Sequence, residues 1–170
     1  LEILLKKLDI HDKESLLDFE KRNRTYFEKF VPSRGNDYYL KNEFKERHKQ
    51  LLLEQEKNES LFFLIQKRDG TIIGRINVID IQDQIGEIGY RIGEEFVGGK
   101  VASQAVSLLC QQLSDPPFIN MLHSLKAKTL VEHIASQRVL EKNHFKKIAT
   151  EEVTINNQTL NFYIYEYQLL

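Results

Sequence analysis

The sequence predicts a mixed α/β fold, a mostly antiparallel central sheet flanked by helices. Short apolar or alternating runs at 1–8, 60–66, 71–81, 85–92, 122–131, 145–155 and 159–169 have the length and residue types of strands. Two turn pairs, Asp69-Gly70 and Asn156-Asn157, fold neighbouring runs into hairpins. Between these lie stretches with the 3.6-residue period of amphipathic helices, so helices and strands must share a core.

The first strand ends near Asp9 and Asp12, either of which suits the N-cap of the helix that follows. Leu16, Phe19, Asn23 and Phe27 recur on that helix at helical spacing, and Val31-Pro32-Ser33-Arg34-Gly35 breaks it into a loop. A second helix is expected over 37–57, with Leu40, Phe44, His48, Leu51 and Leu52 on one face and charges on the other. The run 60–66 is apolar without alternation, as in a strand covered on both faces. The chain turns at Asp69-Gly70, returns over 71–81 and turns again into 85–92. There Gly86 and Gly89 interrupt the apolar pattern, and glycine inside a strand marks a bulge or a close approach by another backbone or a ligand. Ala102, Ala105, Val106, Leu109, Cys110 and Leu113 make one apolar stripe on the next helix, which Asp115-Pro116-Pro117 ends. A strand over 122–131, a short helix over 135–142 and the closing hairpin complete the order β-α-α-β-β-β-α-β-α-β-β.

At 170 residues the chain is expected to form a single domain with a substantial core. A hydrophobic share of 41% and a net charge of −1, with both signs mixed along the chain, give no basic tract for nucleic acid and no acidic tail. No stretch reads as a secretion signal or a membrane span. The single cysteine, Cys110, lies on an apolar stripe and reads as a packed thiol, in keeping with a reducing, cytoplasmic setting. The five histidines and the scattered carboxylates show no metal-ligand spacing, so no metal is expected.

The stretch 85–110 organises the rest: a strand, a Gly98-Gly99 turn, then a helix. A glycine turn that opens a helix points unpaired N–H groups and the positive end of the dipole at one spot, which suits a pyrophosphate. The run GYRIGEEFVGGKVASQAV resembles the acetyl-CoA-binding signature of the GCN5-related N-acetyltransferases, the GNAT superfamily. Aligned on Gly98, the first motif position is Glu95, where the family prefers Gln or Arg, and its second glycine is Lys100 here. Lys100 either hinders close approach of the backbone or adds a cation to the phosphates. A second segment, HIASQRVLEKNHF, is similar to the family's Asn-x-x-Ser-x-x-Val-Leu-Glu-Lys-x-Gly-Phe. Ser136, Val139, Leu140, Glu141, Lys142 and Phe145 match, while His133 replaces the Asn and His144 the Gly. With Asn23-Arg24 and the helix-rich N-terminus, the resemblance is greatest to the branch that acetylates ribosomal-protein N-termini.

The resemblance implies acetyl transfer from acetyl-CoA to an amine. That chemistry needs a bound thioester, a neutral amine, donors for an oxyanion and a proton for the leaving thiolate. Val97, Gly98, Gly99, Lys100, Val101 and Ala102 are the expected pyrophosphate turn. Ile88, Gly89, Tyr90 and Ile92 would run beside the pantetheine, with the Gly89 N–H a candidate oxyanion donor. Glu87, on one face with Gly89 and Arg91 by the strand period of two, is the candidate base; otherwise it pairs with Arg91 or a lysine. Ser136 matches the position that approaches the sulfur, or else caps a helix. His133 would contact the pantetheine or acceptor, or lie at the surface. Tyr26, Phe27, Phe30, Tyr38 and Tyr39 are candidates for an aromatic wall around the acceptor, or are core and rim aromatics. The acceptor is then a protein N-terminus, or alternatively a small amine such as an aminoglycoside, polyamine or amino acid. A CoA-binding module without turnover is the third reading. Such a protein would act as monomer or homodimer, with no nucleic acid or membrane as partner.

Overall fold

The computed structural model describes residues 1–98 and 100–169. Its elements follow the predicted order: β1 (Ile3–Lys7), α1 (Lys13–Arg22), α2 (Arg24–Phe27), α3 (Lys41–Glu56), β2 (Leu61–Lys67), β3 (Ile72–Gln82), β4 (Ile85–Ile92), α4 (Val101–Leu113), β5 (Ser124–Leu130), α5 (Ile134–Lys142), β6 (Lys146–Ile155) and β7 (Gln158–Gln168). The seven strands form one sheet in the order β1-β2-β3-β4-β5-β7-β6. Every pairing is antiparallel except β4 with β5, so the mixed, mostly antiparallel α/β architecture is as predicted.

Strand alternation sorts the side chains onto two faces. Phe63, Ile65, Ile76, Val78 and Ile88 meet the apolar stripe of α4, together with Leu140 of α5 and Phe145. Phe62 and Leu64 face the other way, onto Leu16, Leu17 and Phe19 of α1 and Phe44 of α3. Both faces of β2 are therefore covered, which is why its sequence is apolar throughout. Each of these buried side chains contributes on the order of 1.5–3 kcal/mol.

Two helix expectations change. The first helix is interrupted at Asn23, whose side chain donates to Phe19 O at 2.9 Å and accepts from Glu94 N–H at 2.9 Å. That residue thus ties the end of α1 to the end of β4. The second helix does not begin at 37: residues Asn36–Tyr39 form a single 3-10 turn, and Leu40 is extended and exposed before α3 starts at Lys41. The reason is Tyr38, which is drawn under Phe44 into the core (ring centroids 5.5 Å apart) and sets a sharper turn than a continuous helix allows. Asp9 caps the 3-10 turn ahead of α1, accepting from His11 N–H at 2.7 Å. His48 is packed, with Nε2 2.8 Å from Asp9 O.

Candidate active site

β4 and β5 are paired only from Ile85–Ser124 to Glu87–Lys126, although β4 runs on to Ile92 and β5 to Leu130. Their outer partners stay in register, β3 with β4 as far as Ile92 and β7 with β5 as far as Leu130. The sheet therefore splits between its fourth and fifth strands just after Glu87. Ladder parity decides which main-chain groups face the split. Gly93 N–H donates to Ile73 O at 2.8 Å, so the N–H groups of Arg91 and Gly89 also point toward β3. Those of Ile88, Tyr90 and Ile92 point the other way. Beyond Glu87 no β5 partner among the described residues faces Tyr90 or Ile92, which leaves their N–H groups at the gap. The Gly89 N–H, expected as the oxyanion donor, therefore points away from the gap, and the N–H at the open edge is that of Tyr90.

Gly89 has a different use. A Cβ placed there would meet nothing within 4 Å, so the missing side chain leaves an opening on the α1 and α3 side of β4. That opening leads into a cleft of about 540 Å³ lined by Gly89, Tyr90, Arg91, Arg75, Asn77 and Phe62 of the sheet, with Arg34, Tyr38, Arg47 and Leu51 across it. The volume is that of a small-ligand site. Of the aromatics expected to wall the acceptor, only Tyr38 lines this cleft; Phe27 is core and Phe30 is exposed.

The cleft floor is ionic. Glu20 of α1 is fully buried and accepts from Arg75 Nη1 at 2.6 Å and from Arg91 Nη1 at 3.4 Å, with Arg34 Nη1 at 4.0 Å. Burial alone would lower the Arg75 pKa, but Glu20 and Tyr38 outweigh it and hold the guanidinium above its usual value. Arg91 stays below its usual value because burial, joined by repulsion from Arg34 and Arg75, exceeds the pull of Glu20. Sequence reasoning missed this cluster. Its one signal was Arg75 and Asn77 alternating with Gly74, Ile76 and Val78, which places two polar side chains on one face of a buried strand.

Glu87 is half-buried on the same face as Gly89 and Arg91. Arg91 is committed to Glu20, and among the described residues no hydrogen bond or ion pair engages the Glu87 carboxylate. On the other face of β4, Tyr90 Oη lies 3.2 Å from Ser136 Oγ, so these two hydroxyls bridge the split from β4 to α5. Burial pushes the Tyr90 phenol above its ordinary pKa. Ser136 does not cap α5, since His133 stands at the N-cap and Ser136 lies within the first turn. His133 itself is exposed.

The proposed phosphate turn follows β4 closely. Val97 is about half exposed, Gly98 has φ +78° with open space around it, and Lys100 takes φ 68° as the N-cap of α4. Gly99 lies outside the described residues. Among the described residues the first main-chain bond into α4 runs from Gln104 N–H to Lys100 O, and the N–H groups that open a helix have no acceptor within it. Val101 sends its side chain into the core, leaving only its backbone for a ligand, and Ala102 is half-buried. The turn and the open edge of β4 together fit an extended ligand with an anionic end: the turn would hold phosphates, and the Ile92 N–H would bond an amide.

The second sequence signature is accounted for by packing. Leu140 is core, Glu141 accepts from Tyr165 Oη at 3.0 Å, and Phe145 stacks on Tyr167 with centroids 5.2 Å apart. His144, where the resemblance has glycine, takes φ 67°. Asn143 Nδ2 donates to Ser103 O and Oγ, both at 3.2 Å, and so ties α5 to the first turn of α4. Cys110 is buried, and burial pushes its thiol to about 12, which removes it as a nucleophile near neutral pH.

The profile of the family described as Acetyltransferase (GNAT) domain matches residues 2–146. A probable N-acetyltransferase of Bacillus subtilis, YjcK, is 30% identical over 161 residues, covering 91% of this chain and 87% of its own. The fold is shared with the ribosomal-protein-S5-alanine acetyltransferase of Vibrio fischeri, with a TM-score of 0.86, 19% identity, and 99% and 94% of the two chains covered. It is shared as well with the spermidine N-acetyltransferase of Vibrio cholerae solved with CoA and spermine, with a TM-score of 0.77, 17% identity, and 98% and 95% of the two chains covered.

Proposed function

This chain belongs to the GNAT acetyltransferase family, and we propose that it moves the acetyl group of acetyl-CoA to the α-amine at the N-terminus of a protein, in the cytoplasm. The observation that carries this reading is the meeting of two openings at one glycine. On one side of β4 is the split edge with the N–H groups of Tyr90 and Ile92; on the other is the cleft, and Gly89 leaves the strand open between them. A thioester held along the edge and an amine entering from the cleft would come together there. The cleft is open to solvent, as a chain terminus requires.

Each residue then has a task. The turn from Val97 to Ala102, including Gly99, would bind the pyrophosphate, and Ile88, Gly89, Tyr90 and Ile92 would line the pantetheine, with His133 near its path. The acetyl-CoA supplies an activated acyl group with a thiolate leaving group. Tyr90 N–H would donate to the acyl oxygen, Glu87 would take a proton from the amine, and Ser136 with Tyr90 Oη would give a hydrogen bond to the departing sulfur. The reading of a module without turnover is disfavoured by the backbone. Lys100 and His144 both hold the left-handed conformation that the replaced glycines would adopt, so the local geometry is retained.

Calorimetry with acetyl-CoA, followed by thiol release with peptides that begin Ser or Ala, tests the proposal. Saturable binding and acetylation confined to the α-amine are expected. Binding without turnover on any free amine would leave only the CoA-binding module, and no binding would remove the cosubstrate.

A further inference from the structure

We propose that the acceptor is an anionic amine, one whose amino group is followed closely by a carboxylate. The inference rests on the acetyltransferase reading above and names the class of molecule that the cleft would admit. Four arginines line the cleft, Arg34, Arg47, Arg75 and Arg91, and no acidic residue is among its lining residues. The one carboxylate in its floor, Glu20, is shared by Arg75, Arg91 and Arg34. With Glu87 at the far end of the same face, two negative charges stand against four positive ones, and the wall around Arg34 and Arg47 stays cationic.

The surrounding acids do not cancel it. Glu28, on the loop side, is held by Arg24 at 3.0 Å and by Ser33 at 2.8 Å. On α3, Glu46 lies 3.6 Å from Lys49 and Glu43 is exposed. Arg47 makes no ion pair among the described residues and rests against the Tyr38 ring, its Cζ 5.2 Å from the centroid; Arg34 rests on the same ring at 4.7 Å. Arg34 Nη1 also donates to Tyr38 Oη, and the remaining guanidinium N–H groups of Arg34 and Arg47 face a ligand. Asn77 Oδ1 is buried in the same wall with no hydrogen-bond partner among the described residues, so a donor such as an ammonium or amide N–H would satisfy it.

β4 also gives the acceptor a direction. Glu87, Gly89 and Arg91 succeed one another on the cleft face at steps of about 6.6 Å, two residues of strand rise. The acid end suits an ammonium and the arginine end an anion, with the opening between them. A carboxylate one such step beyond the amine fits that spacing, whether it is the side chain of an acidic second residue or the side-chain carboxylate of free glutamate. A polyamine carries the wrong sign for this wall. The same cations would lower the pKa of an amine brought near them, which favours the neutral, nucleophilic form.

The test compares acceptors that share one α-amine. Peptides beginning Ser-Glu-Glu, Ser-Gln-Gln and Ser-Lys-Lys, free glutamate and spermidine are each assayed for thiol release from acetyl-CoA, and for binding to the CoA-loaded protein by calorimetry. The acidic peptide should exceed the neutral one by about tenfold in kcat/KM, the scale of one charge-assisted contact at a half-open site. That ratio should shrink with added salt, and collapse in Arg34→Gln and Arg47→Gln, which spare the buried Arg75–Glu20 pair, while acetyl-CoA affinity is kept. Free glutamate outperforming every peptide would keep the anionic acceptor and overturn the protein N-terminus. Equal or better use of the lysine peptide or spermidine, or an acidic preference untouched by both variants, would overturn the proposal while leaving acetyl transfer intact. If no acceptor turns over, absence of any binding preference for the acidic peptide overturns it equally.

Discussion

At the scale of single residues, the side chains around Gly89 divide by face. Glu87 shares the cleft face of β4, and with Arg91 drawn to Glu20 its carboxylate is unpaired among the described residues, which under the proposed function leaves it for the amine. Glu87→Gln should lower kcat by at least about tenfold with acetyl-CoA affinity little changed, the low end of what a general base contributes. Activity of the parent should rise with pH as the acceptor amine loses its proton, and a Glu87→Gln variant with full activity would make Glu87 structural. Tyr90 and Ser136 work on the other face as a hydroxyl pair. Ser136→Ala should reduce the same step less than Glu87→Gln, since water can replace a hydroxyl. Tyr90→Phe should add little to Ser136→Ala in a double-mutant cycle, because both remove one contact. Ser136 was legible in the sequence through the surrounding Val-Leu-Glu-Lys run. Its partner Tyr90 was expected beside the cosubstrate, but the bond between them joins residues 46 apart, and no local pattern carries that.

Among the elements, the two places where the chain departs from the family's glycines share one cost. Lys100 at the head of α4 and His144 after α5 both sit at positive φ, where an L side chain is disfavoured by about 1–2 kcal/mol. Glycine relieves that strain but adds freedom to the unfolded chain, so His144→Gly should stabilise by about 1 kcal/mol or less in urea denaturation. Lys100→Gly should gain similarly in stability, and it separates two roles. If the Lys100 ammonium clamps a phosphate, the variant binds acetyl-CoA no tighter and loses salt sensitivity; markedly tighter binding would make the side chain an obstruction. Gly98→Asp should weaken binding through charge and through backbone strain at φ +78°. Strands and hairpins were legible because Asp-Gly and Asn-Asn turns and apolar runs are local signals. The break before α3 was not, because Tyr38 leaves helical register for a tertiary reason, its place under Phe44.

Across the whole molecule, the Glu20 cluster joins α1 to β3 and β4 and forms the floor of the cleft. Removing one partner of a buried ion pair strands the others, at about 3–5 kcal/mol. Glu20→Ala should therefore lower the unfolding midpoint strongly, and Glu20→Gln, which keeps the shape and some hydrogen bonding, should lower it less. Circular dichroism melts decide this, and equal melts for both variants would show that charge alone matters. None of the cluster was evident from the sequence. Glu20 precedes Lys21-Arg22 and reads as one more solvated charge, and its partners lie 14, 55 and 71 residues away. Charges become a site only when a helix crosses a sheet at the right height.

The split between β4 and β5 has a consequence for how the folded state breathes. The amides of Tyr90 and Ile92 are donors in the middle of a seven-stranded sheet that lack the protection of a neighbouring strand. In hydrogen–deuterium exchange they should trade protons far faster than Gly89 and Arg91 beside them, which are bonded to β3. Adding acetyl-CoA should slow those two amides selectively and raise the melting temperature in proportion to the logarithm of ligand concentration. Cosubstrate held along the split would couple the two halves of the sheet, so that saturation should be felt as resistance to proteolysis as well as readiness for catalysis.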